Sequence, residues 1–259
     1  MLESGNWSEF DVKRISSEAE KLAQHDAFGA MEVKAMAAVL RGDYSSADVL
    51  YERVLRANGW SEGVLSRYCA LLAISGQSIK IKSVLERCKQ RDSTLSPPAR
   101  AYIAQLLGYC GWLIESGRMR EELMEAGHSI GDTSIDAFEY PAVGDAGAQE
   151  LEMSLFAKQN HLTVSSVLEQ NAVDDEALAS LVGEVLGYLR SQGAVASAVR
   201  SLGAPRDDGT GSVMVNFVVN RNAEAASNLE WDLYGHLAEK DPALLSTGVV
   251  TVGLVSGCQ

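Results

Sequence analysis

Ala37-Ala38-Val39-Leu40-Arg41-Gly42-Asp43-Tyr44-Ser45-Ser46-Ala47, continuing to Tyr51, Val54, Leu55 and Asn58, reads as the meeting of two amphipathic helices. Gly42 takes the left-handed turn that ends the first helix, and Asp43 caps the second. Ala47 offers a small contact where two helix backbones come close, while Tyr51 and Leu55 fill the groove between them. Working outward, the pattern recurs. Gly76-Gln77 stands 34 residues further on between helical stretches, followed by Ile81, Leu85 and Cys88. Gly117-Arg118 reads as a third break 41 residues later, after Ser93-Thr94-Leu95-Ser96-Pro97-Pro98. Residues 8–22, with Phe10, Ile15, Ala19 and Leu22, predict a leading helix that covers the first open face.

The spacing and turn chemistry resemble the tetratricopeptide repeat family, whose unit is a 34-residue helix–turn–helix. The resemblance covers about residues 26–128 and rests on Gly42, Asp43, Tyr44, Ala47, Tyr51 and Leu55 in the first repeat, and on Gly76 and Gly117 as later turns. Ile81 stands where the family has a small residue, and Met31, Leu65 and Leu106 stand where it has an aromatic. Membership would imply a solenoid whose concave face, lined by first helices, grips a peptide or a partner helix. Cys69 and Cys110 read as equivalent small positions of repeats two and three, buried between helices.

Lys80, Lys82, Arg87, Lys89 and Arg91 crowd the second helix of repeat two against only Glu86 and Asp92. Two readings are open for this run: a solvated outer face, or a dock for an acidic segment, the chain's own C-terminal half included.

The period changes in the C-terminal half. Residues 129–150 are rich in Gly, Pro and Asp without a sustained apolar pattern, and read as a linker. Helical periodicity returns around 151–157 and 162–170. A stronger helix follows Asp174-Asp175-Glu176, with the stripe Leu178, Leu181, Val182, Val185, Leu186 and Leu189, and Gly193 closes it. Val213, Val215, Phe217 and Val219 then alternate as in a strand with one buried face. Val249 to Val255, apolar on both faces, predicts a strand in a sheet interior. Between them Ala226, Leu229, Leu233 and Leu237 mark a helix that Asp241-Pro242 terminates. Residues 194–202 suit a third strand or a helix; the strand is preferred because two strands alone are marginal. The fold class expected is α+β: an all-α repeat domain over 1–128, a linker over 129–150, and a small α+β sandwich over 151–259.

Charge divides the chain in the same place. Residues 1–128 hold 17 acids and 16 bases, and residues 129–259 hold 18 acids and 6 bases, which together make the net charge of −13. An acidic half of this kind excludes nucleic acid and anionic membrane as its partners. No run among the 259 residues reaches the roughly 20 apolar residues a bilayer span needs. The stretch from Met1 to Lys13 has acids and no apolar core, so no secretory signal is expected there. Four scattered cysteines point to reduced thiols and a cytoplasmic location.

Catalytic patterns are sparse. His25, His128, His161 and His236 lie far apart, and Asp232 with His236, four residues apart on one helix face, makes at most a surface pair. Gly209-Thr210-Gly211-Ser212 precedes a strand, lacks a following Lys and sits beside Asp207 and Asp208, so it reads as a turn and not a phosphate loop. No catalytic residue, metal or cofactor is expected. The preferred reading is a non-catalytic cytosolic module that binds a protein or peptide partner, as a chaperone, an adaptor or an antitoxin- or immunity-like protein, with a homodimer through the C-terminal sheet as a further contact. The alternatives are an enzyme of an unrecognised α+β family whose repeats present substrate, and a structural homo-oligomer subunit.

Overall fold

The computed structural model describes residues 9–58, 60–90, 95–128, 163–205, 211–240 and 243–257. Helices come first: α1 (Glu9–Leu22), α2 (Ala27–Leu40), α3 (Tyr44–Asn58), α4 (Glu62–Ile74), α5 (Ser78–Lys89), α6 (Pro97–Tyr109) and α7 (Leu113–Glu125). A helical segment over 163–170, α8, and α9 (Asp175–Ser191) precede the strands β1 (Ala196–Pro205) and β2 (Gly211–Val219). Then come α10 (Ala223–Lys240), the short α11 (Ala243–Ser246) and β3 (Val250–Ser256). The architecture is α+β, as expected. The 129–150 linker, the 151–157 helix, Arg91, Asp207, Asp208, Asp241, Pro242 and Cys258 fall outside the described residues.

Three helix pairs, α2–α3, α4–α5 and α6–α7, turn in the same way. Gly42, Gly76 and Gly111 have φ of 73°, 70° and 87°, and stand 34 and 35 residues apart. At each turn the residue after the glycine reaches back to the helix. Asp43 N donates to Ala38 O at 2.9 Å, Gln77 N to Leu72 O at 2.8 Å and Trp112 N to Leu107 O at 2.9 Å, the Schellman closure. This corrects the sequence reading of the third break. Gly117 lies inside α7, where a Cβ would overlap the Ser165 hydroxyl, so it serves helix packing and not a turn. The third turn thus comes 35 residues after the second, at Gly111, and not 41. With Gly111 as the turn, the position of Ala47 and Ile81 falls on Ser116, whose buried hydroxyl donates to Ala104 O at 2.6 Å. Cys110 then precedes the turn glycine, and Ala104, not Cys110, matches Cys69.

By compactness the chain divides into units 1–99 and 100–259, so the boundary falls inside α6 and not in 129–150. In the first unit, α1 lies on α2 through the buried Val12 and Ala19, while Phe10 is exposed. Asp26 caps α2 by accepting from Gly29 N at 2.8 Å, and Asp43 caps α3 through Ser46 N at 3.1 Å.

In the second unit the third helix pair is fastened to the C-terminal elements. Tyr109 OH donates to Ala196 O at 3.0 Å, and a Cβ on Gly111 would lie 2.7 Å from a Val182 methyl. The core joins Val164, Val167 and Leu168 of α8 and the predicted α9 stripe to Val213, Val215, Phe217 and Val219 of β2, and to Ala226, Leu233 and Leu237 of α10.

Among the described residues the sheet has three strands in the order β1-β2-β3. β1 runs antiparallel and β3 parallel to β2. The strand reading of 194–202 therefore holds, whereas β3 is an edge strand and not an interior one. Its apolar look has a different cause. Val250 and Val252 face the core, and its outer backbone groups are met by side chains of α10: Glu230 Oε1 accepts from Leu254 N at 2.8 Å, and Tyr234 OH donates to Val252 O at 3.0 Å.

Candidate functional site

Two cations of the basic run on α5, Lys80 and Arg87, turn inward onto α3, the second helix of the preceding pair. Lys80 Nζ contacts both Asp48 oxygens at 2.6 and 2.7 Å, and Arg87 grips Glu52 with two bonds of 2.7 and 3.1 Å. From α4, the buried Tyr68 donates its hydroxyl to Asp48 Oδ1 at 2.6 Å and to Glu52 Oε1 at 2.9 Å. A single proton serves both contacts, so the two carboxylates share it as a branched acceptor pair. Below the hydroxyl, the Tyr68 ring stacks on Tyr51 at 5.5 Å, and the Arg87 guanidinium lies 5.5 Å over Trp60.

Electrostatics follow from this geometry. The Arg87 hydrogen bonds hold the Glu52 carboxyl below its ordinary range against the opposing effect of burial. Burial, and then the two carboxylates that accept from it, push the Tyr68 hydroxyl far above its ordinary value, so it stays protonated. Asp48 and Glu52 face Lys80 and Arg87 within the cluster, and Arg56 lies 3.7 Å from Glu52. Such an arrangement locks α3, α4 and α5 together. Lys82 and Lys89 occupy other positions of α5, half-buried and exposed respectively.

Sequence reading missed Asp48, Glu52 and Tyr68. A signal was present: Asp48 and Lys80 are 32 apart and Glu52 and Arg87 35 apart, so opposite charges sit on consecutive second helices near the repeat length. The first helices are tied in the same way by Glu32 of α2 and Arg67 of α4, again 35 apart. Glu62 at the start of α4 accepts from the backbone and hydroxyl of Ser96.

Beside this lock, α2 has an unusual burial pattern. Its four fully buried residues are all alanines: Ala30, Ala35, Ala37 and Ala38. Its large apolar residues Phe28, Met31, Val33, Val39 and Leu40 are only half-buried, and Met36 is 42% exposed. Helical spacing places Phe28, Val33, Met36, Val39 and Leu40 along one broad arc with Glu32. An ordinary surface helix buries its large apolar side chains and exposes polar ones. This helix fully buries only alanines, leaves those large apolar side chains half-buried and exposes Met36 together with Lys34.

Other candidates settle into structural roles. Cys69, Cys88 and Cys110 are buried and form no disulfide, and desolvation pushes the Cys69 thiol up to about 12, which disfavours the reactive thiolate. His236 does not pair with Asp232; its Nε2 lies 2.7 Å from Glu184 Oε1 while the ring stacks on Tyr188. Asp174 caps its own helix α9, accepting from Glu176 N at 3.2 Å. Among the described residues, no group of three or more His, Cys, Asp or Glu is placed to hold a metal ion, and no helix is long and apolar enough to cross a membrane. No family model, no curated protein and no solved structure matches the chain.

Proposed function

We propose that the protein is a non-catalytic binding module that holds a partner polypeptide against the outward arc of α2. The observation that carries this reading is the burial pattern of α2, with alanines fully inside, Phe28, Val33, Val39 and Leu40 only half-buried and Met36 42% exposed. Burying such an arc against a partner removes apolar area from water at roughly 25 cal/mol per Å², a gain the free unit forgoes. The 34- and 35-residue recurrence of glycine turns supports a tetratricopeptide-like repeat, and the charge ties between consecutive helices keep the presenting surface rigid, which limits the ordering cost of binding. The role fits an adaptor, chaperone or immunity-type protein in a reducing cytoplasm, where the buried thiols of Cys69, Cys88 and Cys110 stay reduced. A homodimer through the C-terminal sheet would use its open face, where Leu202, Met214 and Val255 are exposed, because side chains of α10 occupy the β3 edge.

The test replaces Met36 by Asp and measures, by calorimetry, binding of the polypeptide that copurifies with the intact chain. A loss of about tenfold, equivalent to about 1.4 kcal/mol, with an unchanged melting temperature is expected. Full affinity in the variant would remove α2 as the binding surface.

A further inference from the structure

The second unit carries a separate exposed feature on α10. Trp231 is 73% exposed and packs edge-on against Tyr234, with ring centroids 6.3 Å apart and planes at 89°. Tyr234 is itself fixed, since its hydroxyl donates to Glu230 at 3.1 Å and to Val252 O at 3.0 Å. The indole is therefore held on a rigid support. Gly235 lies one turn from Trp231 in the helix interior, where glycine weakens a helix. A Cβ there would meet nothing within 4 Å, so the fold does not require the glycine. Glu224, Asp232 and Glu239 are exposed on the same side of the helix, within a half of the chain that holds 18 acids and 6 bases.

We propose that this face of α10 docks a Lys- or Arg-bearing segment of a partner polypeptide. An indole face attracts a guanidinium or ammonium through its quadrupole. The carboxylates of Glu224, Asp232 and Glu239 complement neighbouring cations and steer them in. An acidic segment or a second copy of this acidic unit meets repulsion at the same place. The site is independent of the α2 surface and lies in the other unit.

The experiment titrates the full chain into fluorescein-labelled hexa-arginine and follows anisotropy, with hexa-glutamate as the counter-probe. Wild type binds hexa-arginine and not hexa-glutamate. Trp231→Ala weakens binding about two- to thirtyfold, the range for a cation–π contact from exposed to desolvated, with an unchanged melting temperature. The triple change Glu224→Gln, Asp232→Asn, Glu239→Gln flattens the salt dependence. Met36→Asp binds the peptide as wild type does, which separates this site from the one on α2. Undiminished binding by Trp231→Ala, absence of binding by wild type, equal binding of hexa-glutamate, or loss of binding in Met36→Asp would each overturn the proposal.

Discussion

Asp175 at the start of α9 caps the N-terminus of α7 by accepting from Ile114 N, 61 residues away in sequence, at 3.1 Å. Its other oxygen accepts from Glu115 N at 3.0 Å. The residue before α7 is Trp112, which offers no side-chain cap, so a carboxylate from another helix supplies what the local sequence lacks. Helix N-termini leave N–H groups without internal partners, and an anion there also meets the positive end of the helix dipole. Asp175→Ala is expected to destabilise the chain by about 1–2 kcal/mol, the upper part of the range for a lost cap, because two donors lose their acceptor at once. Urea unfolding of the two chains measures it. A midpoint identical to wild type would show that the contact contributes nothing.

Gly42 and Gly111 share a left-handed backbone but not their surroundings. A Cβ on Gly42 meets nothing within 4 Å, whereas on Gly111 it would press on Val182 and on the Ala179 backbone at 3.0 Å. Gly42→Ala should therefore cost only the left-handed conformation, about 1 kcal/mol. Gly111→Ala should cost that plus overpacking, about 2–4 kcal/mol in total. Thermal unfolding of both variants is the check, and equal losses would contradict the packing assigned to Gly111.

Charge reversal along α5 should separate its lysines. Lys80→Glu places a third carboxylate beside Asp48 and Glu52 and removes the cation that balances them. A loss of about 1–2 kcal/mol is expected, since the pair is only partly screened by solvent. Reversal at the exposed Lys89 should change stability by no more than about 0.5 kcal/mol. Chemical denaturation distinguishes the two, and a Lys80 variant as stable as the Lys89 variant would count against the inward lock.

Acid should loosen the same lock. Glu52 has a folded-state pKa below its ordinary value of 4.5, mainly because Arg87 hydrogen-bonds its charged form. The folded state thus binds this proton more weakly than the unfolded state does, so the contribution is complete above about pH 4.5. It fades as the pH falls below that value, through the depressed folded pKa. Glu52→Gln removes this component, so the stability difference between wild type and variant should shrink as pH drops from 5 to 3. A difference that stays constant over that interval would show that Glu52 does not carry it.

The sequence by itself determined the elements whose signals are local. Gly42 and Gly76 end helices because few other residues enter the left-handed region, and Asp43 and Asp174 cap because a short carboxylate reaches the next N–H groups. The alternation Val213, Val215, Phe217, Val219 identified a half-buried strand, and the stripe from Leu178 to Leu189 identified the helix that covers it, because side-chain periodicity is a property of the backbone alone. Charge asymmetry was legible because composition does not depend on the fold.

Only the tertiary structure decided how those elements combine. Gly111 and Gly117 are both glycines in a helical stretch. Which one turns the chain depends on Val182 and Ser165, more than 40 residues further on. Val249 to Val255 looks interior in sequence, yet it lies at the edge, because Glu230 and Tyr234 satisfy the backbone groups a neighbouring strand would otherwise take. The basic run of α5 reads as a surface until Asp48, Glu52 and Tyr68 are brought beneath it. Hydrogen bonds and ion pairs act over a few ångströms, while the residues that make the tertiary ones here stand 16 to 87 positions apart, so chain order carries the identity of the groups and folding alone determines their partners.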